Sequence, residues 1–301
     1  DDFIEIPTDS LFHLDLFREQ TDFSLGRSFQ AGQNRIGVGY FGKPNSLKIL
    51  PLNLPDSVQT VQSFDKDKDT LYVWLENSNY DSLNFKINNK DYQKNYGFRF
   101  QKKELGKDSL QLKQQSQILE LSEKLSLEST TPLINVNNKK IEVYDRDSIP
   151  ISFEAILENY TNLVLDFEVL PNDIYYVHVK PDAVIDIFQK TTDSLNFTFK
   201  TKKISEYGKI FFNPIQKKYP LIIDLINTKD EVVDSQYLAS ASDNCVFENI
   251  LPGEYTIRVI EDKNENKKRD TGNFLGKIQP EKTYFNDEII TGFYESNLAN
   301  D

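Results

Sequence analysis

The sequence predicts an all-β protein built as three tandem β-sandwich domains. Three observations carry that prediction: aromatic and β-branched residues recur in short, often alternating runs; turn residues separate the runs every ~8–12 positions; and helical periodicity is poor. The runs are "TLYVWLE" (70–76), "SLNFKIN" (82–88), "NLVLDFEVL" (162–170), "IYYVHVK" (174–180), "SLNFTFKTK" (194–202), "PLIIDLI" (220–226) and "EYTIRVI" (254–260). Such residues suit a pleated, half-buried surface, and such close spacing favours sandwiches over a parallel α/β sheet. The one sizeable helical candidate, "DSLQLKQQSQILELSEKL" (108–125), contains good helix formers, yet its pattern fits equally two strands around a glutamine-rich turn.

Turn chemistry and restarts of the pattern set the expected boundaries. Residues 1–29 contain "IPTDS" and no clean period, and read as a linker or the end of a preceding segment. A first sandwich spans 30–117. A second spans 118–203, opening with "LELSEKLSLESTTPLINV" and closing with "SLNFTFKTK". A third spans 204–301 and ends with "YFNDEIITGFYES".

Composition limits the function classes. A chain of 301 residues with 38% hydrophobic content builds packed cores and exceeds one typical domain. Asp and Glu outnumber Lys and Arg by 47 to 35, for a net charge of -12, so the mean surface repels phosphate backbones and anionic lipid. Nucleic acid is not an expected partner. No apolar run approaches the roughly 18–20 residues of a membrane-crossing helix, and no charged leader with an apolar segment opens the chain. There is no Met, position 1 included, which predicts that the chain continues beyond its numbered start. The lone Cys245 forms no intrachain disulfide and reads as a packed, inert thiol in a strand, compatible with the cytosol or a bacterial periplasm.

The catalytic signals do not assemble, and no enzyme is expected. "GVGYFG" sets Gly37, Gly39 and Gly42 in a dinucleotide-binding spacing, but Pro44, Pro51 and Pro55 forbid the helix that must follow, so a bulged strand is predicted. Of two histidines, His13 and His178, the latter alternates with Tyr176 and Lys180 on one strand face and reads as a surface residue. There is no Ser-centred nucleophile elbow and no histidine pair at metal spacing.

One stretch invites a definite chemistry. In "VIEDKNENKKRDTGNF" (259–274), Asp262, Asn264, Asn266 and Asp270 stand at offsets one, three, five and nine of a loop, the alternation by which side chains offer oxygens to calcium. Against this, Lys267 takes the sixth place, where an EF-hand needs glycine, and Asn273 the twelfth, where it needs glutamate. The competing reading is a long hairpin loop whose Asp and Asn side chains bond their own backbone. A second pattern, Asp followed by Ser or Thr and an aliphatic residue, occurs at 9–11, 56–58, 69–71, 81–83, 108–110, 147–149 and 193–195, and predicts Asp turns that hand over to strands.

The order of these features carries a resemblance. "NLVLDFEVLPNDIYYVHVKPDAVIDIFQKTTDSLNFTFKT", with a Pro-Asn turn, a Tyr-rich strand and a short helical "DAVIDIF", resembles the bacterial Ig-like domain of the SbsA type. "FENILPGEYTIRVIEDKNENKKRDTGNF" resembles the prealbumin-like domain that regulates carboxypeptidases. With "LFHLDLFREQ" and "KIQPEKTYFNDEII", the whole chain resembles the C-terminal part of a Bacteroidota Ig-like-domain envelope lipoprotein.

The resemblance implies an N-terminal lipid anchor outside this sequence and an outer-membrane location. It also implies envelope-protein partners within an assembly, secretion or uptake complex, and O-glycosylation at Ser10, Ser57, Thr70, Ser82, Ser109, Ser148 and Ser194, provided the hydroxyls reach solvent. On this reading the chain is a non-catalytic interaction module, with Tyr40, Phe41 and Phe274 as exposed contact anchors. The alternative is a carbohydrate-binding or accessory module of a surface glycan system. Trp74, inside an alternating strand, reads as core and leaves little aromatic platform for sugar.

Overall fold

In the computed structural model the structure describes residues 23–291, apart from 43, 45, 56, 66–67, 78–79, 91, 102–107, 215–217, 274–276 and 287–289. The protein is all-β: among the described residues every strand pair within the larger sheets is antiparallel, helix is confined to two short 3-10 turns, and no helix is long and apolar enough to cross a membrane.

Two sheets close the first sandwich. β1 (Ser24–Gly32), β2 (Arg35–Phe41), β4 (Thr60–Asp65) and β5 (Thr70–Leu75) form one in the order β1-β2-β5-β4; β3 (Lys48–Pro51), β6 (Ser82–Asn89) and β7 (Tyr92–Arg99) form the other. The core lies between them, where Ile36, Val38, Leu71, Val73, Leu75, Leu83, Phe85 and Ile87 meet. β1 begins at Ser24, inside the stretch expected to be linker, because Phe23 and Leu25 pack onto that core.

The second sandwich comprises β8 (Leu112–Lys113), β9 (Leu125–Ser129), β10 (Leu133–Val136), β11 (Ile141–Tyr144), β12 (Pro150–Ile151), β13 (Glu154–Glu158), β14 (Asn162–Asp166), β15 (Ile174–Val179), β16 (Val184–Asp186) and β17 (Leu195–Lys200). The sheet β13-β14-β9-β8 faces β12-β11-β15-β17 over Leu125, Leu127, Val143, Leu163, Leu165, Tyr175 and Val177, and β10 pairs with β16. Of the two readings of 108–125, the helix does not form, and of the two strands only the two-residue β8 does; Ile118 makes an isolated bridge to Lys200, and β9 begins at the last residue of the stretch. β8 already pairs with β9, so this sandwich takes up chain that was expected in the first.

"DAVIDIF" is likewise no helix. It carries strand β16, whose alternate residues Val184 and Asp186 are buried. Asp186 has no exposed surface; it accepts the Thr131 hydroxyl at 2.9 Å and the backbone N–H groups of Phe188 and Lys190 at 2.9 and 2.8 Å. A buried carboxylate with three donors fixes that turn more firmly than helix propensity would.

The remaining strands are β18 (Gly208–Phe212), β19 (Leu221–Asn227), β20 (Val232–Leu238), β21 (Cys245–Ile250), β22 (Glu254–Glu261), β23 (Thr283–Phe285) and β24 (Ile290–Thr291). β19 and β22 are central in the sheet β20-β19-β22-β23, with β24 also on β22, while β18 pairs with β21. β19 is buried from Leu221 to Ile226, including Asp224, which accepts Arg258 Nε and Nη2 at 3.0 and 2.7 Å and Ser235 Oγ at 2.7 Å.

By contact the chain divides into two compact units, Ile210–Phe247 with Gly253–Thr291, and Thr21–Lys209 with Glu248–Pro252. The second unit therefore holds both the first and second sandwiches, and Trp74 is central to what joins them. On β5 the residues Leu71, Val73 and Leu75 face the first core, so Tyr72 and Trp74 lie on the opposite face of the sheet. Trp74 is nevertheless only 2% exposed, because Ile187, Phe188 and Ile134 of the second sandwich cover it together with Val61. Its Nε1 donates to Ser63 Oγ at 2.8 Å, and the Arg35 guanidinium stacks 4.5 Å from its ring.

A second clamp lies beside it. Asn159, left-handed at φ 50 in the β13–β14 turn, accepts the Phe64 N–H at 2.8 Å and donates to the Phe64 carbonyl at 2.7 Å. Its amide thus occupies the edge of β4 as a neighbouring strand would.

Candidate functional site

The loop after β22 is ordered by its own side chains. Asp262 is 1% exposed, and its two oxygens accept the N–H groups of Asn266 and Lys267 at 3.2 and 2.8 Å. Asn264 Oδ1 accepts Asn266 N at 3.1 Å, and Asn266 Oδ1 accepts Lys268 N at 2.7 Å. Both Asn amides donate to Asp270 Oδ2, at 2.6 and 2.9 Å. The four side chains named as calcium ligands therefore converge, joined by hydrogen bonds of the Asp-turn kind. Lys267 takes the left-handed conformation, φ 59, at the place where an EF-hand needs glycine, and its Nζ lies 5.0 Å from the Tyr237 ring centroid.

Sequence reasoning missed the residue that closes this loop. Glu281, 7% exposed, accepts Lys263 N at 2.9 Å with one oxygen and Asp270 N at 3.0 Å with the other, while its own N–H donates to Asp270 O at 3.2 Å. It lies beyond the loop, alone among uncharged and basic residues in "QPEKTYF", at no spacing that would draw attention. Burial, followed by the charges of Asp262 and Glu265, raises the Tyr237 hydroxyl's pKa. Burial lowers that of Arg269, helped by nearby Arg258. The loop thus lies on the β20-β19-β22 face and presents Lys263, Asn264, Glu265 and Lys268 to solvent.

The other singled-out residues fall in different places. Tyr40 is buried in the first core, at 5% exposure, because it points inward from β2; the expectation of an exposed anchor is corrected there. Phe41, the next residue, points outward at 64% exposure. Phe274, Ser10 and His13 lie outside the described residues. Ser57, Ser82, Ser109, Ser148 and Ser194 are exposed, whereas Thr70 is buried and donates its hydroxyl to Lys68 O at 2.8 Å, which removes it from the candidate acceptors.

Of the glycine triad, Gly37 and Gly39 lie in β2 and Gly42 follows the strand at φ 75. β2 is regular against β5 and irregular against β1, with register shifts between Leu25 and Ser28 and between Gln30 and Gly32, so the bulges lie on β1. At Gly37 a Cβ would sit 2.4 Å from Cζ of Phe29, whose ring covers that position. Cys245 is buried, and burial, with the Asp234 charge, pushes its thiol up to about 11, so it stays protonated at neutral pH. His178 Nδ1 lies 2.6 Å from Asn196 Oδ1 across β15 and β17.

No protein-family model matches the chain, and a search of the curated proteins finds no match. Among solved structures, a crystal structure of the chicken CNTN1 FN1-FN3 domains is similar at 10% identity, covering 91% of this chain and 99% of that one, with a TM-score of 0.16. So low a score carries no argument about arrangement. The fold class rests on this chain's own antiparallel sheets and the cores they enclose.

Proposed function

We propose that this chain is a non-catalytic interaction and scaffold module of a bacterial cell envelope: a series of Ig-like sandwiches tethered to the outer membrane through a lipid anchor outside this sequence. On this reading it serves a multi-subunit assembly, secretion or uptake complex, as the resemblance to Bacteroidota envelope lipoproteins implies. The observation that carries it is the loop 262–270. A surface loop held by buried Asp262 and Glu281 keeps its charged tips in place before any partner arrives, which lowers the ordering cost of association. Tandem sandwiches fix distance and orientation while such loops vary freely.

The test is to purify the native protein from mild-detergent membranes with and without residues 263–269. Loss of the same associated envelope proteins on deletion, with the melting of the 21–209 unit unchanged, supports the reading. Undiminished association moves the contact to the earlier sandwiches.

Calcium at Asp262, Asn264, Asn266 and Asp270 is a proposal about the same loop. The side chains converge, and the amides would exchange the hydrogens now given to Asp270 for their oxygens. At free calcium 100 times Kd, the 210–291 unit gains about 2.7 kcal/mol over the chelated protein. An unchanged melting temperature in wild type and in Asp262→Ala would leave only the turn.

A further inference from the structure

The solvent face of the sheet β12-β11-β15-β17 carries a site that the partner reading does not use. Strand alternation sends Val143, Val177 and Val179 inward and leaves Glu142 and Tyr144 of β11 beside Tyr176 and His178 of β15 outside. Register places Tyr144 opposite Tyr176 and Glu142 opposite His178, so the four form one contiguous patch. With Ser148 they line an open depression of about 530 Å³. Tyr144 and His178 meet edge to face at 5.7 Å, and all four strand residues stay half-exposed.

One wall of this depression is fixed. The β11–β12 loop that carries Ser148 is capped by Asp145, whose Oδ1 accepts Asp147 N at 2.9 Å and Ile149 N at 2.8 Å, and whose N–H donates to Ile149 O at 3.1 Å. Arg146 ties the same loop to the start of β15 through Asp173, at 3.1 Å, and through the Asn172 carbonyl.

The polar groups state what the depression would accept. Glu142 is ion-paired with Lys180, so the pair adds no net charge to the patch. An amide oxygen only accepts, so His178 Nδ1 donates to Asn196 Oδ1. The Glu142 carboxylate, which already holds Lys180 and the Tyr144 hydroxyl, and phenolic hydroxyls that both donate and accept make a polar patch framed by aromatic faces. A matching ligand is neutral, carries hydroxyls that both donate and accept, and has an apolar C–H face to lie on the rings. A proline-rich segment also lies on aromatic rings and is the competing occupant that the test separates.

We infer that the Tyr144–Tyr176–Glu142–His178 face binds a neutral oligosaccharide. This inference does not rest on the partner reading, and it lies on a different face from the buried Trp74. The test uses the full chain on an array of neutral oligosaccharides, followed by calorimetric titration of the best-retained sugar. The expected result is saturable binding that weakens at least tenfold in both Tyr176→Ala and His178→Ala, with unfolding midpoints close to wild type. Tyr176→Phe, which keeps the ring and removes only a hydroxyl, should weaken it less and controls for misfolding. No retained sugar, affinity unchanged in these variants, or capture of decaproline in place of any sugar each overturns the inference.

Discussion

Replacing Trp74 by Ala should uncouple the first two sandwiches rather than hollow out either core. The indole faces away from Leu71, Val73 and Leu75 and is covered by Ile187 and Phe188. A buried tryptophan removes about 150–250 Å² from water, worth about 4–6 kcal/mol at ~25 cal/mol per Å². Truncations of this kind cost about 3–5 kcal/mol when measured, and here the Arg35 stacking and the Ser63 hydrogen bond go too. For a unit of this size a loss of about 4 kcal/mol lowers the melting temperature by roughly 8–16 °C. Differential scanning calorimetry should show the single transition of the 21–209 unit splitting into two as the sandwiches melt independently. Because Trp74 is the only tryptophan, wild-type fluorescence reports the same seam and should red-shift as it opens. A single transition in Trp74→Ala, moved by less than about 2 °C, would show that the seam carries little of the coupling.

Three further outcomes are expected. Asp186→Ala should destabilise the same unit by about 3–5 kcal/mol in urea unfolding, since Thr131, Phe188 and Lys190 lose their acceptor together, and Asp186→Asn by less. Burial raises the Asp108 carboxyl's pKa despite Arg35 nearby, and its Oδ2 has no partner among the described residues. A carboxyl raised in the folded state favours folding while protonated and opposes it once ionised. The contribution of Asp108 therefore falls as pH rises above the ordinary carboxylate range, and Asp108→Asn should be neutral or stabilising at pH 7 by denaturant titration. With its thiol pushed up to about 11, Cys245 should resist iodoacetamide at pH 8 in the folded protein and react on unfolding. Mass spectrometry showing alkylation at the rate of a free thiol would contradict that placement.

Much of the fold was legible because alternation is a local signal. "TLYVWLE", "IYYVHVK" and "EYTIRVI" became β5, β15 and β22 directly. The same signal also held the correct face of Trp74, out of step with Leu71 and Val73, but a buried large ring is read as core unless a second domain is known to cover it. "DAVIDIF" looked helical because nothing local announces that Asp186 will find Thr131, far away in sequence. In the loop, Asp262 to Asp270 could be picked out by spacing, whereas Glu281 acts from across the hairpin and left no periodic trace. Tyr40 and Phe41 show the limit of naming an aromatic pair without its strand phase: one is core and the other surface.

The Asn159 clamp has a practical consequence for how the protein is made. Asn159-Tyr160-Thr161 is an acceptor tripeptide for N-linked sugar, of no account in most bacteria but read by the secretory pathway of eukaryotic cells. A sugar there would be attached through the amide nitrogen that donates to the Phe64 carbonyl, and would stand where β4 now meets the β13–β14 turn. The same polypeptide would then leave an insect or mammalian cell with a wedge between its first two sandwiches and leave a bacterium without one.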